Sequence, residues 1–480
     1  MIKKLLCIFF GIFLTCSFAK ADAVDDWLAG LKSKFSGTEL VFAMTSHPGT
    51  DGIQALSTEF TEKTGIKITF DIMGEGQLID KTLLECQSED LKWDVIMIAA
   101  ETSPQMLHDN CTVPLNDYLK DQTLAPSEPF GMDDYVPAYL SLFKMGDQIV
   151  ALPFAGETVF LTYRKDLYEE AGLSVPKTWD EFLDNAKKLK TDDVAAVVMR
   201  IGRGWEFTYM WSIFIYPFGG DMVDLDANKA QIDNAGNAAS LEYLRKLLPY
   251  GPVGFENYHW DTSMTAIMEG KAAMSVEASA LAGEYENPEK SRTAGKLGYA
   301  PLPSGPAEAY SGVWGWGLGV KKTSKNHEAA IAAIAYFTSK AKHQEYVNAG
   351  GPVSRTHVLA NPDNQAKHPY YQATLDTLEQ AAALYAKGKS AVPKTAKWFQ
   401  ISDVMGVYGS EAFVGERTIG DALSEMNAQV QKILELIPTI KKVKLMGLGE
   451  PFLHPEYEKI LKLFREKKLR LWSISNGSLL

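Results

Sequence analysis

The sequence predicts an α/β protein made of two sheet-and-helix units that the chain visits more than once. Three observations carry this. β-rich or continuously apolar runs alternate with helical patterns in the N-terminal part, a second alternation begins near Gln148, and no tandem repeat or low-complexity linker interrupts Asp22 to Leu436. Runs that are apolar at every position suit strands covered on both faces, as in parallel sheets flanked by helices.

Taken in order, Thr38–Ala43 (TELVFA) reads as the first strand, and Ile53, Leu56 and Phe60 at helical spacing predict a helix that Gly65 stops. Lys67–Met73 (KITFDIM) alternates like a strand, Gln77–Glu85 reads helical, and Asp94–Ala99 is continuously apolar after its first residue. From Gln148 the pattern IVALPFAGETVFLTYR begins the second unit, and Thr178-Trp179-Asp180-Glu181 forms a capping box that opens a helix. Asn234–Leu248 carries Leu241, Leu244 and Leu248 on one face, a further helix runs from Trp260 to Gly270, and Lys271–Val276 (KAAMSV) fits a returning strand.

The first residues have the order of an export signal: Met1-Ile2-Lys3-Lys4, an apolar run from Leu5 through Phe18, then Ala19-Lys20-Ala21. An apolar stretch of about 14 residues is short of the roughly 20 that a membrane-spanning helix needs. Cleavage is expected near Ala21, which places the mature, soluble chain in the periplasm or outside the cell. Lipid attachment at Cys16 is the rival processing, although Phe13-Leu14-Thr15 lacks the small residue it favours. The composition is that of a globular protein, 46% hydrophobic and 22% charged, and the net charge of −12 excludes the basic footprint of a nucleic-acid surface. Of four cysteines, Cys86 and Cys111 remain after cleavage; they form either one disulfide or two buried thiols, and their spacing suits neither zinc nor redox chemistry.

Six segments, in this order, resemble one family: FTEKTGIKITFD (Phe60–Asp71), WDVIMI (Trp93–Ile98), LPFAGETVFLTYRKDLYEEAGLSVPKTWDEF (Leu152–Phe182), AIMEGKAAMSVE (Ala266–Glu277), GYAPLP (Gly298–Pro303) and GVWGWGLGVKKTSKNHEAA (Gly312–Ala330). The chain resembles the extracellular solute-binding proteins, family 1, that serve carbohydrate ABC importers. That resemblance implies a two-lobe, periplasmic-binding-protein-like fold of the class II type, with hinge crossovers and the ligand between the lobes. The implied first lobe spans 22–145 and 296–348, and the second 146–295 and 349–436. It also implies a monomer without enzymatic activity, cofactor or metal, whose partners are a small ligand, a sugar or polyol, and the membrane permease subunits. Such a protein works by population shift, because a ligand touching both lobes favours the closed form. A polyamine or another small polar solute is the alternative ligand, since aromatic and acidic pockets suit it too.

In open α/β sheets ligands gather beyond the carboxyl ends of strands. That rule selects Ser46 and His47 after the first strand, Glu75 after the second, and Glu101 and Thr102 after the third. Carboxylates accept pairs of hydroxyl hydrogens, the chemistry that sugar recognition needs, although each residue also fits a helix N-cap or a solvated loop. Trp205, Trp260, Trp314 and Trp316 sit in what read as polar or glycine-bearing loops, where an indole face can stack on a sugar ring. Of the pair in GVWGWGLG, one is expected in the cleft and the other buried. The resemblance adds Trp260 with Asp261, and Arg355, as family ligand positions, and Glu157 follows an expected hinge strand.

Several patterns are set aside. Asp224-x-Asp226-x-Asn228 lacks the glycine and the bidentate glutamate of a calcium loop and reads as a turn between strands. The glycines of GVWGWGLG lack dinucleotide spacing, and neither HExxH nor GxSxG occurs. After Leu436 the character changes: Ile437–Leu480 holds nine Lys or Arg against four Glu. Strands over Lys442–Met446 and Arg470–Ile474 flank a helix opened by Pro455. KLMGLGEPFLHPEYEKILKLF and ISNGSLL make this an incomplete βαβ tail resembling part of a radical S-adenosylmethionine domain. The cluster-binding CxxxCxxC of that family is absent, so radical enzyme activity from the tail is only a remote alternative, and a fused or misassembled fragment is the expected origin.

Overall fold

The computed structural model describes residues 23–436 apart from 87, 89 and 91, together with the strands Lys442–Leu445 and Arg470–Ser473. The export signal, Cys16 and the helix expected from Pro455 lie outside the described residues. A helix over 23–35, α1, precedes the first unit. Strand β1 (Glu39–Thr45) pairs in parallel with β2 (Lys67–Met73) and β3 (Val95–Ala99), and helices α2 (Pro48–Thr64) and α3 (Glu75–Glu85) make the crossovers. Gly65 ends α2 in the left-handed conformation, φ 71°, its amide bonded back to Thr61.

The long strand β4 (Leu152–Arg164) then carries the chain across. In the second unit, helix α4 (Trp179–Leu189) is capped by Thr178, and β5 (Ala195–Val198) precedes α5 (Trp205–Ile215) and α6 (Ala235–Leu247). Helix α7 (Trp260–Met268) leads to β6 (Ala272–Ala278) and β7 (Leu297–Ala300). Strand β8 (Val313–Val320) returns to the first unit and is followed by α8 (His327–Phe337). Helices α9 (Tyr371–Tyr385), α10 (Trp398–Val414) and α11 (Ile419–Glu435) complete the body.

The strand order is β2-β1-β3-β8-β4-β6-β5, with β7 also paired to β4. The first half of β4 pairs with β8, and its second half pairs with β6 and β7. Two main cores follow from this, with a third, smaller cluster around Phe160, Ala272 and Leu297 in the second unit. Phe42, Ile96, Phe154 and Leu318 belong to the first, whereas Val159, Trp211, Met274 and Trp398 belong to the second. Along β4 the change falls between Ala155 and Val159. Gly315 of β8 lies beside this crossing with φ 154°, and an added Cβ would sit 2.4 Å from the Ala155 carbonyl oxygen, so only glycine permits the approach.

Two expected lobe boundaries are displaced. Leu297–Ala300 pairs with Leu161–Arg164, and Leu302 and Tyr310 pack in the second core, so the return crossing is β8 and not Lys296. Val353, Val358 and Leu359 stay in the first core, and the last crossing comes in α9, where Ala381 packs on the first core and Leu384 on the second. Both displacements have one cause: a strand or helix shared by two cores looks locally like any other buried element.

Cys86 and Cys111 form a disulfide, with Cα atoms 5.1 Å apart. Leu225–Asn228 forms the turn between the short strands Val223–Asp224 and Lys229–Ala230, so this segment is a strand-to-strand turn as its sequence implied. In the tail, Lys442–Leu445 and Arg470–Ser473 run parallel, in the register Lys442 to Arg470. No described helix is long and apolar enough to cross a membrane.

Candidate functional site

Three strand ends of the first lobe and one crossing strand bring polar groups to the space between lobes. His47 follows β1 and caps α2, its Nδ1 accepting the Gly49 amide at 2.9 Å, with Pro48 starting the helix. Since Nδ1 accepts, the neutral ring carries its proton on Nε2, which donates to Glu157 Oε1 at 3.1 Å. Glu157 is buried on β4 in the stretch between the two cores. Glu75 is the first residue of α3, and its carboxylate accepts the indole N–H of Trp260 at 3.1 Å. Trp260 is the first residue of α7 in the second lobe, so this hydrogen bond joins the lobes across the cleft. Glu101 follows β3 and faces Trp205, Tyr209 and Trp314 across a cavity of about 10 Å³.

The second lobe answers with groups from β5, α5 and β6. Arg200 follows β5 and makes a bidentate ion pair with Glu277 of β6, with N–O distances of 2.8 Å on each arm, both residues buried. Its guanidinium lies 4.3 Å from the centre of the Tyr209 ring, and that ring in turn packs 4.3 Å from Trp314. Glu206 of α5 is bonded to His259 Nδ1. Helix α5 is nearly all apolar and buried, and α10 holds its N-terminus in place. A Cβ on Gly406 of α10 would fall 1.6 Å from the Gly204 carbonyl, so glycine alone allows the helices this close where α5 presents Trp205 and Glu206.

Burial sets the electrostatics. Desolvation raises the Glu75 carboxyl to about 7; Arg200 and His47 oppose the rise, and Glu206 and Glu157 add to it. Desolvation likewise raises Glu101 to about 7, with Glu75 and Glu157 adding repulsion. Glu206 is also raised, chiefly by burial, against the pull of Arg200 and His259. Burial disfavours the charge on Arg200, yet Glu277 more than compensates and holds the guanidinium charged. The phenol of Tyr209 is pushed far up by burial, and its hydroxyl has no hydrogen-bond partner among the described residues.

The structure therefore brings together His47, Glu75, Glu101, Glu157, Trp205, Trp260 and Trp314. Asp261 is exposed at the start of α7, where its carboxylate accepts the Thr262 amide. Two expectations need correction. GVWGWGLG is a strand and not a loop; Trp314 and Trp316 are both buried, at 2% and 7% exposure, Trp314 facing Glu101 and Trp316 lying 6.1 Å from the His47 ring. Arg355 is not in the cleft: it is buried in the first lobe, donating to the carbonyls of Thr338 and Gly131 and lying 3.4 Å from the Tyr135 ring centre. Sequence reasoning missed Arg200, Glu206, Tyr209, His259 and Glu277. One signal was present, a glutamate within the otherwise apolar or small run AAMSVEA of β6. Among the described residues no group of three or more metal-ligating side chains occurs.

A hinged cleft rich in carboxylates and aromatics is matched by known proteins. The sequence model of the bacterial extracellular solute-binding protein family fits residues 46–344. A solute-binding protein of an ABC transporter from Agrobacterium radiobacter K84, solved in complex with ribitol, is 26% identical, with a TM-score of 0.76 over 83% of this chain and 99% of that one. A probable amino-acid ABC transporter periplasmic-binding protein of Sinorhizobium fredii is 25% identical over 80% of this chain and 86% of its own length. The erythritol/L-threitol-binding protein of Mycolicibacterium smegmatis is 24% identical over 66% of this chain and 70% of its own length. Two cores joined by shared elements, a polar cleft at the crossing and a family match that spans both lobes have one common reading: the chain belongs to the bacterial extracellular solute-binding proteins.

Proposed function

We propose that the protein is the extracytoplasmic binding component of an ABC importer that captures a sugar or polyol by closing its lobes. The observation that carries this is the Glu75–Trp260 hydrogen bond, which joins carboxylate and indole across the cleft next to Glu101, Trp205 and Tyr209. Carboxylates accept hydroxyl hydrogens and indole faces cover the C–H faces of the ligand, so polyhydroxylated solutes meet both needs. Relatives that bind ribitol and erythritol support the class. The amino-acid name of another relative fits less well, because an α-carboxylate needs a free cation and Arg200 is already paired bidentately with Glu277. A cavity of about 10 Å³ at Glu101 does not admit a ligand, so the lobes part for entry and close on the bound solute.

The export signal ending near Ala21, delivery to membrane permease subunits and the monomeric state belong to the same reading. The segment after Leu436, which resembles part of a radical S-adenosylmethionine domain, is assigned no share in the site. Thermal-shift screening across polyols, sugars, amino acids and polyamines tests the function, since a ligand that binds only the folded form raises the melting temperature. Stabilisation by polyols or sugars is the expected result, and stabilisation by amino acids alone overturns it.

A further inference from the structure

The charges of the cleft do not balance, and the imbalance names a ligand class. Three carboxylates have basic side chains as hydrogen-bond partners, Glu277 with Arg200, Glu157 with His47 and Glu206 with His259, and of these Arg200 carries a permanent charge. Glu75 and Glu101 have none among the described residues; Glu75 accepts only the neutral indole N–H of Trp260. Both face the second lobe, and a ligand between the lobes removes the remaining water from them.

Burying two carboxylates against a neutral polyol leaves their charge uncompensated, whereas a protonated amine supplies the missing cation. The surrounding surface suits an ammonium as well. Trp205 and Tyr209 line the cavity with Glu101, and aromatic faces attract cations. An independent feature points to a ligand at this place: Tyr209 is only 6% exposed and lines the same cavity, and its hydroxyl has no partner among the described residues. A buried hydroxyl without a partner is costly, and a ligand hydroxyl or amine relieves it.

We propose that the solute is an amino polyol or amino sugar, held through its protonated amine by Glu75 and Glu101 and through its hydroxyls by the remaining polar groups of the cleft. This rests on the polyol or sugar reading above. The raised carboxyl of each glutamate agrees with it, since an arriving cation restores the ionised form and releases protons.

The test is calorimetry on the full chain at neutral pH with isosteric pairs: sorbitol against 1-amino-1-deoxysorbitol, glucose against glucosamine, and galactose against galactosamine. The amine of at least one pair is expected to bind ten-fold or more tighter than its hydroxyl partner, with proton release seen as a heat that depends on the buffer. Glu101→Gln and Glu75→Gln, each checked for native circular dichroism, are expected to abolish that preference, the amine losing at least ten-fold more affinity than its neutral partner. If the neutral partners bind as well as the amines or better, the inference is overturned and the polyol reading stands. If no amine and no neutral polyol or sugar binds, both fall.

Discussion

Raising the pH of the ligand-free protein from about 5 to about 8.5 is expected to open the cleft, because only the closed form buries Glu75 and Glu101. In this structure, where the Glu75–Trp260 bond joins the lobes, burial raises both carboxyls to about 7, against an ordinary 4.5. The open form exposes them and returns them toward the ordinary value. A carboxyl raised in one state stabilises that state relatively at low pH, and the advantage is lost as pH rises through the raised value. The closed form therefore binds extra protons between the two values and is penalised above 7. A displacement of this size corresponds to about 3 kcal/mol per carboxylate, and water contact at the partly exposed groups trims it to roughly 2 kcal/mol each. Even one such term moves the open–closed ratio about thirty-fold, given 1.4 kcal/mol per factor of ten. Small-angle scattering across this range reads the change as an increase in radius of gyration with pH. Glu75→Gln with Glu101→Gln, which cannot ionise, is expected to flatten the curve. A radius that is constant in the parent protein, or that falls with rising pH, refutes the reasoning.

Gly315→Ala places a Cβ 2.4 Å from the Ala155 carbonyl oxygen, which the paired strand cannot move away, so a loss of about 3 kcal/mol in urea unfolding is expected; an unchanged midpoint contradicts the close approach. Arg355→Met strands the carbonyls of Thr338 and Gly131 inside the first lobe and is expected to cost about 3 kcal/mol of stability while leaving ligand affinity within about two-fold, and a selective loss of affinity returns Arg355 to the site. Reducing Cys86–Cys111, which lie 25 residues apart, is expected to lower stability by about 3 kcal/mol, measured by melting with and without reductant. Truncation after Leu436 is expected to preserve affinity, and a ten-fold loss on truncation makes the tail part of the site.

The elements were legible wherever one local signal dominates. Gly65 stops α2 because it takes the left-handed conformation that other residues resist, and Thr178 opens α4 by accepting the Glu181 amide. The alternation of VWGWGLGV is also a local signal, of period two, but its glycines pulled the reading toward a loop. There the glycines serve close packing against β4 and not a turn. The crossings left no local trace, since Leu152–Thr162 is buried throughout although its two halves belong to different cores. Long-range pairing was equally hidden. Arg200 and Glu277 are 77 residues apart, and Arg355 lies 224 residues from Gly131, so no spacing rule separates the cleft arginine from the core one.

What the strand-end rule did find was the half of the site that changes on opening. Arg200 with Glu277 and Glu206 with His259 are pairs within the second lobe, and His47 meets Glu157 in the stretch of β4 between the two cores. The two second-lobe pairs travel with their lobe through hinge motion. Glu75 and Glu101 are different, because their neighbours Trp260, Trp205 and Tyr209 belong to the opposite lobe. Parting the lobes thus leaves the second-lobe pairs intact and rehydrates Glu75 and Glu101. The energy that couples binding to closure is accordingly concentrated on them, and a ligand group that matches their charge gains most by drawing the lobes together.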